Sequence, residues 1–162
     1  MKCSADPAIL RDPVHLLAFG FGAGLSPFAP GTAGTLVAVP VLLLIERLGL
    51  PVQIAITVIL TLAGVYICGA SSRKLGIHDH SGIVWDEIAG FLIAACAIPA
   101  RWQWIAAAFA LFRFFDIVKP WPIREADHSL KGGVGIMLDD VLAGLFSAII
   151  LYAAQLLIRQ LS

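Results

Sequence analysis

The chain has 162 residues, the length of a single domain. Apolar residues make up 59% of it and charged residues 14%, against about 45–50% and about 25% in ordinary soluble domains, and mean hydropathy is +0.90. Eleven basic residues balance eleven acidic ones: too few charges to coat a soluble globule and no excess to grip a phosphate backbone, which excludes a nucleic-acid binder, a disordered chain and a secreted disulfide scaffold in favour of a membrane protein.

Residues 1–13 carry Asp6 and Asp12 and lack a positive-then-apolar arrangement, so they read as a tail with no cleaved leader expected. Residues 14–25 are apolar and rich in glycine (Gly20, Gly22, Gly24), but shorter than the roughly 20 residues that cross hydrocarbon. That predicts a short re-entrant or interfacial helix. Ser26-Pro-Phe-Ala-Pro-Gly-Thr-Ala-Gly34 is a breaker cluster and predicts a loop, followed by an apolar helix from Thr35 to about Leu48, bent at Pro40. Residues 52–70 form the clearest spanning segment, without a single charge. Residues 71–81 are polar, with Arg73, Lys74, His78, Asp79 and His80.

A third apolar helix is predicted over residues 83–99, with Asp86 and Glu87 in its first turns. A fourth covers residues 102–118, holding Arg113 and Asp116 and ended by Lys119-Pro120. Residues 121–134 read as a polar loop closing with Lys131-Gly-Gly. A fifth helix over residues 138–158 opens with Asp139 and Asp140. The reading is all-α: one domain over residues 1–162, a small polytopic membrane helix bundle with about four or five apolar helices. Cys3, Cys68 and Cys96 are odd in number and far apart, and read as small buried hydrophobes.

The charges are not scattered. Eight of the eleven acids lie between Asp79 and Asp140, while residues 14–45 and 48–72 carry no charge. One internal echo stands out: Gly82-Ile-Val-Trp-Asp86-Glu87-Ile88 aligns without gaps to Gly135-Ile-Met-Leu-Asp139-Asp140-Val141. Each copy is followed by an Ala-Gly pair (Ala89-Gly90, Ala143-Gly144) that would let two helices approach closely, setting the acid pairs face to face.

A charge at the bilayer centre costs about 2.5–3.5 kcal/mol, so retained intramembrane charges point to function. The plainer reading is that the acids mark helix starts, where the dipole favours anions. Clustered carboxylates repel unless a cation neutralises them, and hard oxygen ligands select Mg²⁺ over zinc. Arg113, Asp116 and Lys119 recur at i, i+3 and i+6 on one face. Two cations beside a carboxylate suit a tetrahedral oxyanion. The plainer reading there is one buried ion pair and a snorkelling lysine. Ser26, Gly31, Thr32, Gly34 and Thr35 lead into a helix start, which either binds an anion or simply caps. His78 and His80 straddle Asp79, where supporting roles outrank ligation. A Cys-x5-Arg loop, an Asp-x-Asp pair, a Pro-Ser-Gly-His segment and a Walker loop are all absent from the sequence. What remains is metal-assisted chemistry on an anion at the membrane surface.

In order along the chain, Gly24-Leu-Ser-Pro27, Pro30-Gly-Thr-Ala-Gly-Thr35, His78-Asp-His80, Trp85-Asp-Glu87, Arg113-Phe-Phe-Asp-Ile-Val-Lys-Pro-Trp-Pro-Ile123 and Gly132-Gly-Val-Gly-Ile-Met-Leu-Asp-Asp140 resemble bacterial phosphatidylglycerophosphatase A. The resemblance runs from about Val14 into the last helix. It implies a Mg²⁺-dependent, multi-pass enzyme of the inner (cytoplasmic) membrane, active site facing the cytoplasm. Such an enzyme converts phosphatidylglycerophosphate to phosphatidylglycerol and phosphate, with a lipid substrate and the bilayer as its partners. On that footing Asp86, Glu87, Asp139 and Asp140 are expected to hold Mg²⁺. Arg113 and Lys119 would bind phosphoryl oxygens, helped by Ser26, Thr32 and Thr35. Asp116 would orient Arg113 or act as general base, beside Asp86, Glu87 and Asp140 as catalytic residues. The nucleophile stays open between water and a carboxylate.

Two other classes compete: a small cation transporter or channel built on the paired acids, and a non-catalytic scaffold. A phosphatase of another lipid phosphate is a variant of the main reading. Lys2, Arg11, Arg47, Arg73, Lys74 and Arg124 are spread over both kinds of loop, so positive charge does not fix the orientation. The sequence carries no signal of oligomeric state.

Overall fold

A chain with so few polar side chains must satisfy its backbone polar groups internally, and helices do so without a partner segment. The computed structural model describes residues 6–78, 80–96, 98–99, 101–121, 123 and 130–161, and no strand occurs among them. Lys2, Cys3, Asp79 and Arg124 lie outside the described residues. The chain runs through α1 (Pro13–Ala18), α2 (Pro30–Ile45), α3 (Leu50–Leu75), α4 (Trp85–Ala94), α5 (Trp102–Val118) and α6 (Gly132–Leu161). The α2 segment extended to Leu48, α3 and α6 are each long and apolar enough to cross a membrane.

The bounds of α5 are those expected from the sequence; elsewhere tertiary contact moves them. The cluster read as a loop through Gly34 is shorter. Ala29, left-handed at φ 45°, turns the chain inward, and Pro30 then opens α2 at the first helical position, where its fixed φ suits and its missing N–H costs nothing. Residues 14–25 are two pieces rather than one helix. α1 has six residues and is followed by a 3₁₀ turn, Gly20–Leu25, kinked at Phe21 (φ 57°) and Gly22 (φ 103°). α4 stops at Ala94, short of the expected Pro99. α6 begins two turns early, at Gly132, because Gly133 packs directly on the Val65 carbonyl of α3, where a side chain would overlap it. Asp139 and Asp140 therefore sit in the third turn of α6, not at its start, and the helix-dipole reading does not apply to them.

α4 is the core element, packed by α2, α3, α5 and α6, with Ala89, Phe91, Leu92 and Ala94 fully buried. Its contact with α6 is backbone on backbone. A β-carbon on Gly144 would run into the Gly90 carbonyl, and one on Gly90 would meet the Asp140 carbonyl and the Phe112 ring. The echoed Ala-Gly pairs thus do bring their helices together. Residues such as Leu36, Leu44, Ile59, Ile149 and Leu157 stand exposed on the outside, as lipid contact requires. Exposed Trp102 and Trp121 flank the two ends of α5, the positions interfacial aromatics favour.

The polar loop and the amino-terminal segment are tied to this frame. Lys74 donates to Asp12, and His15 Nδ1 lies 2.8 Å from Ser71 Oγ. The Gly82 and Gly132 amides donate to His80 Nδ1 and His78 Nε2, both at 3.0 Å, so the two histidines hold loop and helix start. Cys68 is fully buried, 3.8 Å from the Met137 sulfur, while Cys96 is half-buried.

Candidate active site

Four helix segments meet at one end of the bundle. α4 brings Asp86 and Glu87 in its first turn, and α6 brings Asp139 and Asp140 in its third. α5 brings Arg113 and Asp116 near its end and Lys119 as its left-handed cap (φ 43°). α2 contributes Gly31, whose missing side chain is required: a β-carbon there would collide with Glu87 Oε1 and press on Arg113 Nη1. Each acid pair is carried by a helix whose backbone touches the other's at Gly90 and Gly144, so the spacing of the carboxylates is fixed by main chain.

The acids divide into two groups. One oxygen each from Asp86, Glu87 and Asp140 lie within 4.8 Å of one another, and so do one each from Asp116, Asp139 and Asp140. Asp140 belongs to both, and at 3% exposure it is the most buried of the acids in these groups. The four acids expected to hold Mg²⁺ are distributed over two adjoining triads, and Asp116, expected only to orient or to act as base, completes the second.

The cations are placed among them. Arg113 Nη1 is 2.5 Å from Asp116 Oδ2 and 3.9 Å from Glu87 Oε1, and Lys119 Nζ donates to Asp139 Oδ2 at 2.7 Å. Arg113 Nε is a buried donor with no hydrogen-bond partner, and Glu87 Oε2 and Asp140 Oδ1 are buried acceptors with none. Such atoms are expensive unless a ligand completes them. A site with orphaned donors and orphaned acceptors side by side suits a cation and an oxyanion bound together.

The hydroxyls stand further back. Thr35 is fully buried and donates to the Gly31 carbonyl inside its own helix, Ser26 donates to the Phe28 carbonyl in the turn before α2, and Thr32 is half-buried in the first turn. The sequence carried the Asp116 signal, since an acid three residues from Arg113 follows that side chain wherever it goes. Which acids group with which depends on the relative rotation of α4, α5 and α6, and no single helix encodes it.

The family model described as Phosphatidylglycerophosphatase A matches residues 16–155. The chain is 50% identical over 151 residues to "Phosphatidylglycerophosphatase A" of Haemophilus influenzae, covering 90% of this chain and 91% of that one. It is 47% identical over 144 residues to the protein of the same name from Escherichia coli, covering 88% and 84%. A "Putative phosphatidylinositol-3-phosphatase" of Bacteroides thetaiotaomicron is 44% identical over 149 residues, covering 86% and 92%. No solved structure matches the chain.

Proposed function

The chain belongs to the phosphatidylglycerophosphatase A family, and from that premise we propose that it removes the terminal phosphomonoester of phosphatidylglycerophosphate, leaving phosphatidylglycerol and inorganic phosphate. The observation that carries this reading is the pair of carboxylate triads sharing Asp140 beside the partnerless Nε of Arg113. They lie where α4 begins, α5 ends and α6 is in its third turn.

The donor set fits Mg²⁺. Every candidate ligand is a carboxylate oxygen, and Glu87 Oε2 and Asp140 Oδ1 are buried without a hydrogen-bond partner. Asp86, Glu87 and Asp140 would hold one ion, and Asp116, Asp139 and Asp140 have the composition to hold another. When bound, Mg²⁺ supplies positive charge that offsets the crowded carboxylates and polarises the phosphoryl group.

The chain's own groups do the rest. Arg113 donates Nε–H to a phosphoryl oxygen while Asp116 holds its Nη1, so the guanidinium stays aimed as charge builds on the phosphoryl oxygens. Lys119, held by Asp139, adds a second positive charge at the rim. Water attacks phosphorus in line and gives its proton to one of the carboxylates. The phosphorus–oxygen ester bond breaks, and the proton taken from water passes from the carboxylates to the departing glycerol oxygen, which leaves as an alcohol. Gly31 closes the site on the α2 side. A cation pathway, the competing use of paired acids, is poorly served by an arginine ion-paired in their midst.

Phosphate release from detergent-solubilised phosphatidylglycerophosphate, with and without Mg²⁺, tests the reading. Release that requires Mg²⁺ is expected, and none under either condition overturns it. Phosphatidylinositol 3-phosphate belongs beside it as a second substrate, because one relative bears that activity in its name; faster release from it would replace the substrate and keep the chemistry. We further place the protein in a bacterial inner membrane with the site facing the cytoplasm, which labelling of Lys119-side loops in intact cells and in inverted vesicles would test.

A further inference from the structure

Past the carboxylates, on the same helices, lies an apolar groove that the proposed chemistry leaves unused. α4 has ten residues and covers only part of the seam between α3 and α6. Near its end the seam opens into a cavity of about 400 Å³ walled by Thr57 and Thr61 of α3, Ile93 of α4 with Cys96 just beyond it, and Val141 and Leu145 of α6. That is the size of a small-molecule pocket, about 300–1,000 Å³.

Its position is as telling as its lining. α3 and α6 run antiparallel, Gly69 against Gly133 and Gly64 against Met137. Val141 directly follows Asp140, so the groove starts at the level of the shared carboxylate. It continues to Ala148, about 12 Å further along the helix axis. Its rim looks outward into the lipid-facing belt, with Leu62 66% and Leu145 47% exposed. A transmembrane helix of a second copy, about 10 Å across, is too wide for a slot of this volume and length.

We propose that the groove seats one fatty acyl chain of the lipid whose phosphate lies between Asp140 and Arg113. This rests on the lipid-phosphate reading above and adds what fixes the rest of the substrate. The polar head meets the carboxylates and the guanidinium, and the tail lies in the groove along α6. A charged headgroup at one end and an apolar slot opening on hydrocarbon at the other complement a diacyl phosphomonoester and little else. The slot also orients the lipid, since α6 carries both Asp140 at the phosphate and Val141, Leu145 and Ala148 along the groove.

Two measurements separate this from the reading it rests on. The first compares release from the diacyl substrate and from its water-soluble deacylated headgroup. Leu145→Trp, which fills the groove, should lower the diacyl-to-headgroup ratio of kcat/KM about tenfold, while Ile149→Trp on the neighbouring lipid face leaves the ratio as it was. An unchanged ratio in Leu145→Trp overturns the groove and leaves the phosphatase reading standing. The second needs no turnover: phosphatidic acid bearing a diazirine on one chain is photocrosslinked to the purified protein and the adducts are mapped by mass spectrometry. Adducts concentrated on residues 54–62 and 141–148, and lost in Leu145→Trp, are expected. Even labelling of all outward faces, α2 included, overturns the proposal whether or not the protein is active.

Discussion

Arg113 Nη1 reaches 3.9 Å from Glu87 Oε1, and the α-carbon of Gly31 lies over that contact with no room for a methyl group. An ion pair contributed by two helices is thus roofed by the first turn of a third. Gly31→Ala should push Glu87 and Arg113 apart and lower kcat/KM on the order of a hundredfold, the effect of an ångström-scale misplacement. Circular dichroism should report the same helix content. Phosphate release close to that of the parent protein would mean the roof is not part of the site.

Asp140 is common to both triads, so its loss should be felt in both. Asp140→Asn is expected to abolish Mg²⁺-dependent phosphate release, whereas Glu87→Gln and Asp139→Asn each raise the Mg²⁺ concentration required. Without metal, Asp140→Asn should melt a few degrees above the parent, because one of the mutually repelling buried carboxylates is gone. With Mg²⁺ the order should reverse, since the parent gains stability by binding and the variant does not. Thermal melts with and without EDTA read both effects.

Arg113 is ion-paired through Nη1 and leaves Nε for a ligand. Lysine gathers its donors on a single nitrogen and cannot span the separation between Nη1 and Nε. Arg113→Lys should therefore lower kcat/KM about tenfold to a hundredfold. Asp116→Asn leaves the guanidinium in place but unanchored and removes a carboxylate from the second triad, so kcat should fall more than KM rises. Steady-state kinetics at saturating Mg²⁺ distinguishes the two patterns.

The amino-terminal segment should loosen in mild acid. Burial beside Ser71 pushes the His15 imidazole below its ordinary 6.5, with Asp12 opposing the shift and Lys74 adding to it. The unfolded segment takes up the proton first, so the stabilisation from neutral His15 is complete above pH 6.5 and is lost as pH falls below it. The Lys74 ammonium holds Asp12 below its usual 3.8, which acts in the same direction only in stronger acid. Hydrogen-exchange protection factors over residues 13–25, which remove the intrinsic slowing of exchange in acid, should fall as pH drops below about 6.5, and His15→Gln should flatten that dependence.

The bundle and the identity of its charged residues were readable from the sequence because charge is so scarce in it: once residues 14–45 and 48–72 are seen to carry none, the remaining acids and Arg113 stand out. The borders of α5 were readable too, being set by local punctuation at Lys119-Pro120. The starts of α2 and α6 were not. Gly31, Gly34, Gly132 and Gly133 look like chain breakers, yet Gly31, Gly34 and Gly133 are places where α4, the residue just before it, or α3 leaves no space for a side chain, and only the folded neighbour reveals which meaning applies. The division of the acids into two triads was hidden for a related reason, since it depends on how α4, α5 and α6 are rotated against one another.

The Gly90–Gly144 contact sets a limit on how this site can vary. Two main chains already touching cannot move closer, and any side chain inserted between them forces them apart, so the gap between the acid pairs has a floor and little slack. Change in what the enzyme accepts has to come from elsewhere: from the turn before α2, the cap of α5 and the walls of the groove along α6. On the proposed reading the carboxylates are built into the frame, and selectivity is left to its edges.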